Sequence, residues 1–219
     1  MKTFTTTGIF WVILFLVGSF TLSGCASSSG LERSEAIQTS MDRVDENVES
    51  ITTQVNSVNS ALNELTRQGQ GDIRGAYDRF SEEVSELREM ERDFESNAEE
   101  MESDAENYFE GWTQTADQYE NPELQRRSEE RRDELSQRYE QISQNSQTVK
   151  EILRSYVSDV NEIESYLSND LTSQGINSIA GISNDAVDEG EQLRTELNSL
   201  QSAIASVRDE MRQGGITMN

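Results

Sequence analysis

No histidine occurs in the 219 residues, and cysteine and proline occur once each. Without histidine there can be no His-dependent catalytic triad, no His-ligated zinc and no two-His-carboxylate iron site. A single cysteine excludes an intrachain disulfide. With one proline, little interrupts a helix, which argues against a loop-rich or many-stranded fold. Positive charge is also scarce: 18 Lys and Arg stand against 42 Asp and Glu, a formal net charge of −24. Such a surface repels nucleic acid and anionic membrane, so no nucleic-acid partner is expected. Adaptation to a salty medium, where screening shortens charge repulsion, is sufficient reason for much of the acidity.

Apolar residues first appear in an uninterrupted run at Ile9–Val17, behind the lone early charge of Lys2. The run is shorter than the ~20 residues a spanning helix needs, and small residues follow it, as in an export signal. The tetrad Leu22-Ser23-Gly24-Cys25 resembles the lipobox of bacterial lipoproteins. That resemblance implies cleavage ahead of Cys25 and lipid (palmitate among the acyl chains) on its thiol and amine. A single chain holds only marginally at about 0.8 kcal/mol per buried methylene, whereas two or three anchor firmly. Ala26 rather than Asp after the cysteine resembles the sorting pattern for the outer membrane. The expected organisation is a signal peptide over 1–24, a short lipidated linker over 25–33, a helical domain over 34–212 and a tail over 213–219.

Beyond the linker the apolar residues keep a seven-residue beat. Ile37, Met41, Val44, Val48, Ile51, Val55, Val58, Leu62 and Leu65 alternate at steps of four and three. This is the seam of a helix packed on neighbours with a 3.5-residue period. Gly69-Gln70-Gly71 breaks it, and Asp72 can cap the next helix. A second run carries Ile73, Tyr77, Phe80, Val84, Leu87, Phe94, Ala98, Met101, Ala105, Tyr108 and Trp112. Only Glu91 interrupts it, where Met90 can supply apolar area. Asn121-Pro122 then reads as N-cap and first helical position. The third run goes from Leu135 through Tyr139, Ile142, Ser146, Val149, Leu153, Tyr156, Val160 and Ile163 to Leu167. The last is looser around Gly175, Gly181 and Gly190, read as a kinked entry in preference to close backbone approach to the Trp112 and Tyr119 end of the second run, and tightens into Leu193, Leu197, Leu200, Ile204, Val207 and Met211. Four long runs with short breaks predict an all-α fold: an elongated antiparallel bundle of four long helices with coiled-coil-like packing. A pair of hairpins completed by a second molecule would use the same seams.

Chemistry is sparse. Glu99, Glu100, Glu102, Asp104 and Glu106 are dense, but at helical spacing they form a solvated face rather than the converging loop calcium requires. No phosphate-binding loop is present, since Gly69, Gly71 and Gly75 lack a following lysine. No metal, cofactor or catalytic residue is therefore expected. Arg126, Arg127, Arg131 and Arg132 make a basic cluster, interleaved with Glu123, Glu129, Glu130 and Glu134 that can pair with it along the helix.

The stretch Tyr108-Phe109-Glu110-Gly111-Trp112, the segment Asp117–Ser128 with its Gln118-Tyr119 and Leu124-Gln125-Arg126-Arg127-Ser128, then Tyr139, Leu167–Leu171 and Ile179 together resemble an uncharacterised family of bacterial lipoproteins, a domain of unknown function with a coiled-coil body. The resemblance runs from about Ser34 to Met211. It implies an exported helical protein and supplies no activity. Packing at the hairpin end is the expected role of Trp112 and Tyr119, and a recognition surface there, with Arg126 and Arg127, is the alternative and the candidate interaction surface. The expected function is a lipid-anchored structural or protein-interaction module facing the periplasm, held to the membrane through Cys25 and meeting a protein partner or itself. A periplasmic ligand-binding or sensory bundle is the alternative, and a carboxylate-dependent hydrolase comes last. A scaffold should expose an apolar patch, a sensor should enclose a pocket, and an enzyme should gather acids in a cleft.

Overall fold

A computed structural model describes residues 29–67, 69 and 71–215, with side chains as far as Arg212. Cys25, the signal segment and residues 216–219 lie outside the described residues. The described residues form four long helices, α1 (Gly30–Thr66), α2 (Ile73–Ala116), α3 (Pro122–Asn169) and α5 (Ala180–Gly215), with a six-residue helix, α4 (Ser173–Ser178), between the last two. No strand occurs among the described residues. At 1.5 Å per residue, the 48 residues of α3 span about 72 Å and the 37 of α1 about 55 Å.

The first four helices begin where a side chain can satisfy a free amide, whereas α5 follows Ile179 without such a cap. Ser29 caps α1, whose first residue, Gly30, lies four residues ahead of the expected domain start. Its hydroxyl accepts from the Glu32 amide at 3.2 Å while the Glu32 carboxylate accepts from the Ser29 amide at 2.6 Å, a reciprocal capping box. Asp72 accepts from the Gly75 amide at 2.9 Å, and Asn121 accepts from the Glu123 amide at 3.0 Å with Pro122 at the start of α3. Gly69 takes the turn between α1 and α2 at φ 78°, a conformation open to glycine at little cost.

The four long helices form a square ring in which α1 packs on α2 and α5, and α3 packs on α2 and α5. Cross-links fix the directions. Gln54 donates to the Glu83 carbonyl at 2.9 Å, whereas Arg43 meets Glu100 further back along α1, so α1 and α2 run oppositely. Tyr139 donates to the Met101 carbonyl at 2.9 Å and Tyr77 to the Glu164 carbonyl at 3.4 Å, which sets α3 against α2. Arg208 of α5 reaches Asp42 at 2.8 Å and Asp45 at 3.2 Å near the start of α1 and closes the ring. One end of the rod, here the proximal end, holds the start of α1, the α2–α3 turn and the end of α5. The distal end holds the α1–α2 turn and α4.

The heptad residues are the core. Every seam residue of α1 from Ile37 to Leu65 is at most 1% exposed, and those of α3 and α5 from Leu135 and Leu193 onward close on them, Met211 partly. Met90 packs against this core beside the half-buried Glu91, as its position suggested.

The fourth run departs from expectation in one respect. The break falls at Ile179, between α4 and α5, and Gly190 lies inside a continuous helix. A Cβ at Gly190 would stand 2.6 Å from Asn59 Nδ2 and 2.9 Å from its Oδ1. Gly190 therefore permits close approach of α5 to α1 rather than a kink. Asn59 in turn accepts the buried Tyr156 hydroxyl of α3 at 2.7 Å and donates to the Val187 carbonyl of α5 at 3.3 Å. A polar layer thus joins three helices inside the apolar seam, and burial holds the Tyr156 phenol well above the usual tyrosine range.

Candidate functional site

Of the residues singled out from sequence, Cys25 lies outside the described residues, and Trp112, Tyr119, Arg126 and Arg127 fall at the proximal end without forming one surface. Trp112, on the last turns of α2, is half-buried and faces α3, where its indole N–H donates to Ser128 Oγ at 2.8 Å. Its ring stands edge-on to Tyr108 at 5.6 Å, Tyr108 meets Phe109 at 5.2 Å, and Phe109 meets Tyr139 at 5.9 Å. These T-shaped contacts continue the core to the hairpin end. Tyr119 lies in the turn and is exposed, as is Leu124 on the first turn of α3.

Arg126 and Arg127 both reach Glu123, at 2.8 and 2.7 Å, and Arg126 also reaches Glu130 at 2.5 Å. The two guanidinium groups hold the Glu123 carboxyl below its usual range. This is the pairing along the helix that the interleaved charges implied. Two further arginines turn inward, which helical spacing did not reveal. Arg131 binds the Glu210 carboxylate and, at 3.1 Å, its carbonyl on α5, and Arg132 donates to Thr113 of α2 at 2.9 Å. Glu99, Glu100, Glu102 and Glu106 are exposed on the outside of α2, and no group of three or more candidate ligands that could hold a metal occurs among the described residues.

At the distal end α3 passes α4 and the start of α5, leaving an open groove of about 460 Å³ lined by Asp159, Glu162, Ile163, Tyr166, Ile179 and Ile182. Ile163 and Ile179 belong to the core at its floor. Tyr166 and Ile182 stand on its walls, 43% and 57% exposed, and the Tyr166 hydroxyl shares a 2.8 Å hydrogen bond with Ser178 Oγ. Beyond the groove Glu189 of α5 lies beside Asp159. Burial and then that neighbouring acid push the Glu189 carboxyl up, against the downward pull of its Ser155 hydrogen bond. Among the described residues no salt bridge reaches Asp159, Glu162 or Glu189, whereas nearby Arg154 and Arg194 serve Glu95 and Glu191. Sequence reasoning missed this groove. Its signal was an isoleucine and a tyrosine, Ile182 and Tyr166, standing out of register with the seam.

The arrangement defines a class: an antiparallel helical bundle with a packed apolar seam, charged flanks and exposed apolar side chains at its ends. The chain belongs to the family described as "Protein of unknown function (DUF2959)", which matches residues 27–213 and so takes in all of the bundle but the last two residues of α5. No curated protein and no solved structure matches the chain.

Proposed function

We propose that this helical module is a lipid-anchored protein of the cell envelope, held to the outer membrane through Cys25 and facing the periplasm, which works without catalysis as a structural or protein-interaction module. The observation that carries the reading is the placement of exposed apolar groups. The seam is sealed, yet Leu31, Tyr119 and Leu124 at the proximal end are 69%, 40% and 54% exposed, and Tyr166 and Ile182 stand out at the distal end. Exposed apolar groups collected at the ends of a charged rod suit contacts made end-on or near the tips. Cys25 lies just ahead of the Ser29 cap of α1, so lipid there would tether the proximal end and carry the distal end tens of ångströms from the bilayer.

Metabolic labelling with a palmitate analogue, followed by membrane fractionation, tests the anchor. The native chain should take up label and travel with the outer membrane, and Cys25→Ser should remain an unlabelled precursor. An unlabelled native chain, or a Cys25→Ser chain that is processed and sorted normally, would overturn it.

A further inference from the structure

The distal groove combines two features that no described residue completes. Its walls present Tyr166 and Ile182 to solvent over a floor of Ile163 and Ile179, and its rim carries Asp159 and Glu162 with Glu189 just beyond. No basic side chain lines it. Asp185, one turn along α5 from Ile182, is a further exposed acid beside Asp159 and Glu162, with Glu189 half-buried a turn beyond. Glu189 lies against Asp159 across the α3–α5 junction, so two acids meet there with no basic partner among the described salt bridges.

We propose that this groove binds a short cationic, amphipathic segment of a partner protein, whose apolar side chains cover Tyr166 and Ile182 while its Lys or Arg side chains meet Asp159, Glu162 and Glu189. The inference rests on reading the chain as an interaction module and names the chemistry of its partner. Charge complementarity selects the occupant. Nucleic acid and anionic lipid are repelled by the rim. A second copy is disfavoured because each copy carries a net charge of −24 and its exposed Arg126 and Arg127 are already engaged by Glu123 and Glu130. A helix or extended strand with one or two apolar residues among cations satisfies both the walls and the rim, as in the helix-in-groove mode of recognition.

The probe is a synthetic amphipathic peptide of leucine and lysine, with its leucine–glutamate counterpart as control, titrated against the lipid-free chain by fluorescence anisotropy at physiological salt. Asp159→Asn with Glu162→Gln should weaken the lysine peptide about tenfold, as should Ile182→Ser, which equals about 1.4 kcal/mol. Glu82→Gln with Glu86→Gln on the exposed face of α2 removes the same charge and should change binding less than twofold. Equal loss in the α2 variant would show a general polyanion effect and overturn the proposal, as would equal binding of the glutamate peptide. Concentration-dependent dimers abolished by Ile182→Ser would assign the groove to a second copy and overturn it too. Photo-crosslinkers in living cells separate this proposal from the reading beneath it. Protein adducts at Leu124 but not at Ile182 would remove the groove and leave the interaction module standing, whereas adducts at neither would remove both.

Discussion

Gly190→Ala is a small change whose effect should reverse sign with the identity of one distant residue. In an exposed helix interior, replacing glycine by alanine stabilises by about 1 kcal/mol through backbone entropy. At Gly190 the new methyl would sit 2.6 Å from Asn59 Nδ2 and 2.9 Å from Oδ1, so the amide must move. Asn59 is 5% exposed and held from both sides, by the Tyr156 hydroxyl at 2.7 Å and the Val187 carbonyl at 3.3 Å. Displacing it strands the Tyr156 hydroxyl in the core, at a cost of about 1–3 kcal/mol. Gly190→Ala alone should therefore lower stability by up to about 2 kcal/mol. In an Asn59→Ala background the obstructing atoms are gone and the helix-propensity gain should emerge, stabilising by about 1 kcal/mol relative to Asn59→Ala itself. Urea denaturation followed by circular dichroism across the four-member cycle measures the coupling. If Gly190→Ala stabilises equally in both backgrounds, the polar layer does not set the spacing between α1 and α5.

Val55→Asp, placing an unpaired charge where the native residue is fully buried, should cost several kcal/mol and unfold the bundle. Glu100→Ala, which removes only an exposed partner of Arg43, should leave the denaturation midpoint nearly unchanged. Acid should first stabilise and then destabilise. The Glu91 carboxyl is pushed up by burial and then by Glu95, against Arg154 and Arg92, and the Glu189 carboxyl is raised as well. Both groups bind a proton more readily folded than unfolded, so stability should rise as pH falls from neutrality through their folded values. Glu123 and Glu210 are lowered by their arginines, so what they contribute is lost only below the ordinary glutamate value of about 4.3. Denaturation midpoints across this range should peak on the acid side of neutrality, and Glu91→Gln with Glu189→Gln should flatten the rise. An unchanged slope in that double variant would contradict the assignment.

Most of the architecture could be read from the chain because the same side chains that mark the period also form the core. Ile37 through Leu65 predict a face, and that face is buried without exception. The caps were legible for a related reason, since Asp72 and Asn121-Pro122 act through atoms close in sequence. What stayed hidden depends on contacts between distant helices. Asn59 sits beside the seam residue Val58, and only the packing of α5 and α3 reveals that its amide is buried and bonded to both. Gly190 read as a helix weakener because propensity is local while its reason for being small lies on α1. Likewise Arg131 had partners at helical spacing, and its bond to Glu210 comes from tertiary approach. The distal groove required knowing that α4 ends at Ser178 and α5 leaves Ile182 uncovered.

The whole account depends on the seam closing within one chain, and the contact that completes the ring is α5 on α1. Cysteines in place of Asp42 and Arg208, which face each other across that contact at 2.8 Å, report on it directly in a Cys25→Ser background. A short bis-maleimide added to dilute protein should give an intrachain link, seen as a compact monomer with a raised melting temperature. Covalent dimers in its place would mean that α1 and α5 belong to different molecules, and that two hairpins complete each other rather than one bundle closing on itself.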